Sequence, residues 1–105
     1  NIGRALAVAL SAGVALGFQS LSVGTSAVGL TVPTTSANLA IIANVGTTDA
    51  WWRDDGTDPI ADTGMPLWAR SERIFEGLQN LSTIKFIRQA GATANAIICA
   101  SFYEV

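Results

Sequence analysis

The chain predicts an all-β fold, a small β-sandwich or jelly-roll-like barrel with an extended N-terminal arm. Three observations carry this. Short apolar runs recur at roughly 8–12-residue spacing with turn formers between them, the pattern of a sandwich or barrel. The last run alternates strictly, with Ala96, Ile98, Ala100 and Phe102 on one face and Ile97, Cys99, Ser101 and Tyr103 on the other. Between them, Trp51-Trp52-Arg53 stops abruptly at Asp54-Asp55-Gly56-Thr57-Asp58-Pro59. Gly takes positive φ freely, Asp bonds its own backbone and Pro presets φ, so this cluster is a reversal.

The elements follow in order. Residues 1–19 read as the arm and 20–105 as the sandwich domain. In the arm, Leu6, Val8 and Leu10 alternate with Ala5, Ala7 and Ala9, a period of two with large residues on one face. An Ala-rich helix is the rival, since Ala and Leu are good helix formers. The apolar stretch behind Arg4 also resembles a short signal peptide, but it is too short and Gly-punctuated to span a bilayer. Candidate strands then cover 20–23, 28–32 (stopped by Pro33), 38–44, 50–53, 66–69, 73–75, 83–89 and 95–103. A second turn falls at Thr63-Gly64. A short helix competes only within 67–79, where Gly77 and the flanking turns limit it. Both faces of the last strand are apolar enough to be covered.

Composition narrows the function. One hundred and five residues make one small domain. Half are apolar and 13% are charged, little for a free surface, which points to burial against other subunits. The net charge is −2 and the six cations are scattered, so nucleic-acid binding has no electrostatic footprint. There is no His, which excludes Ser-His-Asp and Cys-His catalysis and His-based metal sites within one chain. The single Cys99 lies in an apolar run and reads as a small buried hydrophobe.

The chemistry-bearing candidates are few. Asp49, Asp54, Asp55, Asp58 and Asp62 cluster in sequence, but turns favour Asp for backbone reasons alone. Asp54, Asp55 and Asp58 around Gly56 offer oxygens to calcium, yet the spacing departs from a calcium-binding loop. No catalytic residue, metal or cofactor is therefore expected. Trp51, Trp52 and Trp68 invite glycan stacking, but adjacent Trp51 and Trp52 on a strand point to opposite faces and form no common platform. One belongs to the core; the other is exposed or covered by a neighbouring subunit. Leu6, Val8, Leu10, Trp51, Trp52 and Arg53 are thus the candidate interface residues. Asp54, Asp55, Gly56 and Pro59 form the turn motif.

This turn motif has a resemblance. Arg53-Asp54-Asp55-Gly56-Thr57, then Pro59, then Gly64 and Leu67, then Ile84, Phe86 and Ile87 resemble small virion structural proteins of tailed bacteriophages. The likeness covers roughly residues 28–103 and leaves out the N-terminal segment. It departs from the family pattern in lacking one residue between Arg and Asp. The resemblance implies a non-enzymatic β-sandwich subunit located in the virion, most naturally a capsid decoration or cement protein. Its partner would be the major capsid protein or another virion protein. It would act as a homo-oligomer, a trimer being favoured, without nucleic acid or membrane. A neck, tail or fibre-attachment component, or a host-glycan-binding module with an exposed Trp, are the alternatives.

Overall fold

The computed structural model describes residues 14–105. Leu6, Val8 and Leu10 of the expected arm lie outside the described residues. Eight strands form: β1 Val14–Val23, β2 Val28–Gly29, β3 Leu39–Asn44, β4 Ala50–Arg53, β5 Met65–Leu67, β6 Glu72–Glu76, β7 Lys85–Arg88 and β8 Ala96–Glu104. One helix, α1, spans Leu78–Thr83.

The pairing is antiparallel and nested. β1 pairs with β8, β2 with β7, β3 with β6 and β4 with β5. The chain is thus a ribbon doubled back at the β4–β5 turn. Further pairing of β3 with β8 and of β4 with β7 rolls the ribbon up. Two four-stranded sheets result, β1-β8-β3-β6 and β2-β7-β4-β5. This is the strand order of a jelly roll, two interleaved Greek keys.

Period-two alternation fills the space between the sheets. From β8, Ala96, Ile98, Ala100 and Phe102 are buried; Ala40 and Ile42 of β3, Ala50 and Trp52 of β4 and Phe86 of β7 meet them. Trp52 stands edge-on to Phe75 of β6, with ring centroids 4.8 Å apart. Phe86 and Phe102 anchor this layer, and truncating either to Ala removes about 3–5 kcal/mol. Buried Asn44 ties the layers together. Its Nδ2 donates to the carbonyls of Thr48 at 2.8 Å and Leu67 at 3.0 Å, and its Oδ1 accepts the Gly46 N–H. At the chain's end, Asn38 copies a strand neighbour: Nδ2 donates to the Val105 carbonyl and Oδ1 accepts the Val105 N–H.

Four expectations need adjusting. β1 starts at Val14, not at residue 20, so residues 14–19 belong to the sheet and pair with the end of β8. The alternation seen in 5–10 masked a second period-two run, in which Leu21 lies opposite buried Ile98 and Gln19 opposite buried Ala100. The 28–32 strand shrinks to two residues. Leu30 and Val32 still pack on the core, but the Thr31 N–H bonds the Gln19 side chain instead of a strand. The helix falls at 78–83 rather than within 67–79, because Gly77 (φ +92°) opens it instead of ending it. Buried Leu81 holds it to the core. Finally, β8 is covered on one face only: Ile97, Cys99, Ser101 and Tyr103 are half-buried on the outside of the sheet.

Candidate functional site

Two regions stand out, one charged and one without charge. The charged region is the β4–β5 reversal. Gly56 adopts φ +83°, the positive φ that the Asp-Gly pair predicted. Asp55 Oδ1 accepts the Thr57 N–H at 3.1 Å, closing the turn on itself. Arg53 grips both carboxylate oxygens of Asp55 through Nε and Nη2. That grip, with the Thr57 N–H, holds the Asp55 carboxyl below the usual carboxylate range and raises the Arg53 guanidinium. The Asp54 carbonyl accepts the Thr83 hydroxyl at 2.6 Å, pinning the turn to α1. Pro59 is buried, and Lys85 Nζ donates to Asp58 at 2.9 Å. The second turn follows, with Asp62 at φ +62° and Gly64 at φ +98°.

An open cleft of about 300 Å³ lies against this turn, with Trp52 and Met65 as apolar walls and Arg53 and Asp55 as polar ones. Asp55 is occupied by Arg53, and Asp58 by Lys85, so two of the three carboxylates considered for calcium, Asp54, Asp55 and Asp58, point to different cations. Among the described residues, no three His, Cys, Asp or Glu side chains converge on one point.

The Trp residues divide as the strand period requires. Trp52 faces the core and is 9% exposed. Trp51 faces outward, between Pro66 and Ile87, and meets Trp68 edge-on at 5.6 Å. The sequence reading missed this pairing, because Trp68 reaches Trp51 only through the β4–β5 hairpin register. Trp68 is 52% exposed. The Trp51 indole N–H is buried without an acceptor, so it offers no hydrogen bond to a ligand.

The uncharged region is the outer face of β1, β8 and β3. The registers align its side chains in rows. Phe18 lies beside Ser101, then Ile41, then Ile74. Ser20 lies beside Cys99, then Ala43, then Glu72. Tyr103 lies beside Leu39, which is buried under Ile41, Ile74 and Tyr103 itself. Phe18 is 68% exposed. Three adjacent strands carry no charge on this face, and charge begins only at β6 with Glu72 and Glu76.

No family model, curated protein or solved structure matches this chain.

The uncharged face has a sequence signal that a total charge hides. The cations are not scattered evenly: between Arg4 and Asp49 there is no charged residue at all. The fold then sets β8, itself uncharged from Ala96 to Tyr103, between β1 and β3. Two uncharged stretches far apart in sequence become one surface. Its chemistry suits protein contact, since interface cores are depleted of charge and enriched in aromatics.

Proposed function

We propose that the protein is a non-enzymatic bacteriophage virion structural protein, a capsid decoration or cement subunit. It binds the capsid surface as an oligomer and stabilises the particle. The observation that carries this reading is the uncharged outer face of β1, β8 and β3. A surface meant to stay in water is built with charge on roughly 25–35% of positions, and a face across three strands without one is suited to cover by another protein. The β4–β5 turn, where the resemblance to tailed-phage virion proteins is concentrated, lies in the charged part of the chain. Jelly rolls also build viral capsid and lectin domains, an analogy of fold that carries no function by itself.

The test is rebinding of purified protein to particles stripped of it. Phe18→Asp places a charge on the face at an exposed position and should abolish binding while leaving the circular dichroism spectrum unchanged. Asp58→Asn, at the turn, should bind as the native protein does. Equal binding by both variants rejects the proposal. Copy number separates the virion alternatives: a number matching the capsid lattice supports decoration, and one matching a single ring supports the neck or tail.

The Trp51–Trp68 pair favours a second reading, attachment to host glycan through the exposed Trp68 ring. Trp68→Ala would then abolish binding to cell-surface polysaccharide and leave particle assembly intact.

A further inference from the structure

The two sheets have four edges, and three are blunted in ways natural proteins use against strand addition. β2 is two residues long. β5 is three residues long and contains Pro66, which has no N–H to donate. β6 carries Glu72, Arg73 and Glu76 within five residues. β1 differs in every respect. It runs for ten residues, contains no charge and no proline, and pairs with β8 along one edge only. Among the described residues, no strand takes the backbone N–H and C=O groups of its other edge. Such a row is a template for one more extended strand.

We propose that this edge binds β1 of a second copy, antiparallel, across a two-fold axis. Three arguments select the second copy. The first is register. After the irregularity between Ala15 and Gly17, the strand is regular from Gly17 to Val23, and Ser20 is its centre. Folding that stretch on itself sets Phe18 opposite Ser22 of the other copy, Gln19 opposite Leu21, and Ser20 opposite Ser20. Directly opposed residues share a face, so each Phe18 covers the other copy's Ser22 on the outer surface, and no charge meets a like charge. The second is closure. A two-fold contact of this kind ends with two subunits, and the joined eight-stranded sheet has β6 at both ends. Every unguarded edge among the described strands is then used without any chain other than this one. The third is continuity. The pairing joins two uncharged faces into one surface of doubled width, with Phe18 at its centre and charge only at its far margins.

The pairing is a property of the chain alone. Its failure would leave the particle-binding test above standing, and failure of that test would leave the pairing standing.

The experiment uses the full chain in sedimentation equilibrium, with amide hydrogen exchange at two concentrations. The native protein should be dimeric, and the β1 amides should gain protection as concentration rises. Ser20 is exposed, so Ser20→Lys and Ser20→Asp should both fold. Each sets like charges face to face at the axis and should weaken self-association by at least about 100-fold. Mixing the two variants should restore the dimer as a Lys–Asp pair. Thr25→Lys, in the turn beyond β1, should remain dimeric. A monomeric or trimeric native protein overturns the proposal. So do β1 edge amides that stay unprotected at a concentration where the native protein is dimeric, which would place the contact elsewhere. Failure of the mixed variants to reassociate overturns it as well.

Discussion

At the scale of single residues, the turn motif is a backbone device. Gly56 sits at positive φ with nothing within 4 Å of where a Cβ would stand. Any cost of substitution there is conformational rather than steric. Gly56→Val should lose about 1 kcal/mol or more in a denaturant titration, because β-branched residues are poorly tolerated in that region. Gly56→Asn should lose less, since Asn enters the left-handed region more readily. The two adjacent tryptophans make a second contrast. Trp52→Ala empties the core beside Phe75 and should cost about 3–5 kcal/mol. Trp51→Ala opens an outer, half-covered position and should cost clearly less by the same titration. Asp55 supplies a pH test. Its carboxyl is held low by Arg53 and the Thr57 N–H. A lowered folded value stabilises above the unfolded pKa, about 4, and that contribution fades as pH falls through the folded value. The pair is exposed and screened, so the effect is small. Wild type and Asp55→Asn should differ in midpoint above about pH 4 and converge in stronger acid.

At the scale of elements, legibility followed local chemistry. β3, β4 and β8 were readable because their alternation is bounded by turn residues, and their observed limits fall within a residue or so of the expected ones. That Trp51 and Trp52 face opposite ways followed from the strand period alone; that Trp52 is the one turned inward did not. β2 was not readable: Leu30 and Val32 reach the core without strand pairing, and apolar pattern does not distinguish burial from pairing. α1 is only six residues long, shorter than the helical pattern needs to declare itself. It depends instead on Leu81 and on the Thr83 hydroxyl bond to Asp54. Trp68 joins Trp51 through hairpin register, which no local pattern encodes. Asn44 shows the same limit. It reads as a strand-ending polar residue, yet it is 1% exposed and bonds three backbone groups of the β3–β4 loop and β5. Asn44→Ala would strand the buried carbonyls of Thr48 and Leu67. It should cost about 1–3 kcal/mol, read as a fall in the denaturation midpoint. Asn44→Asp should be no better, because a carboxylate cannot donate to either carbonyl.

At the scale of the whole molecule, the ordering of charge along the chain becomes a division of the surface. The uncharged stretch from residue 5 to 48 supplies β1, β2 and β3. The jelly-roll order then brings uncharged β8 between β1 and β3. The charges of β6 border this face, and those of the β4–β5 turn belong to the other sheet. The composition gives only how little charge there is; the topology says which surface is left without it. This division makes the mode of attachment measurable without a structure of the complex. Contact through the Arg53, Asp55, Asp58 and Lys85 region would rest on exposed charges. Its strength would fall as salt rises and the screening length shrinks from about 10 Å at 0.1 M to about 3 Å at 1 M. Contact through Phe18, Ile41 and Tyr103 would rest on removal of apolar surface, which screening does not touch, and would show a negative heat-capacity change. Titration calorimetry of the subunit onto stripped particles should therefore give an affinity nearly constant across that salt range and an enthalpy that becomes more negative on warming. A steep loss of affinity with salt, coupled to a heat-capacity change near zero, would move the binding surface from the uncharged face to the charged turn.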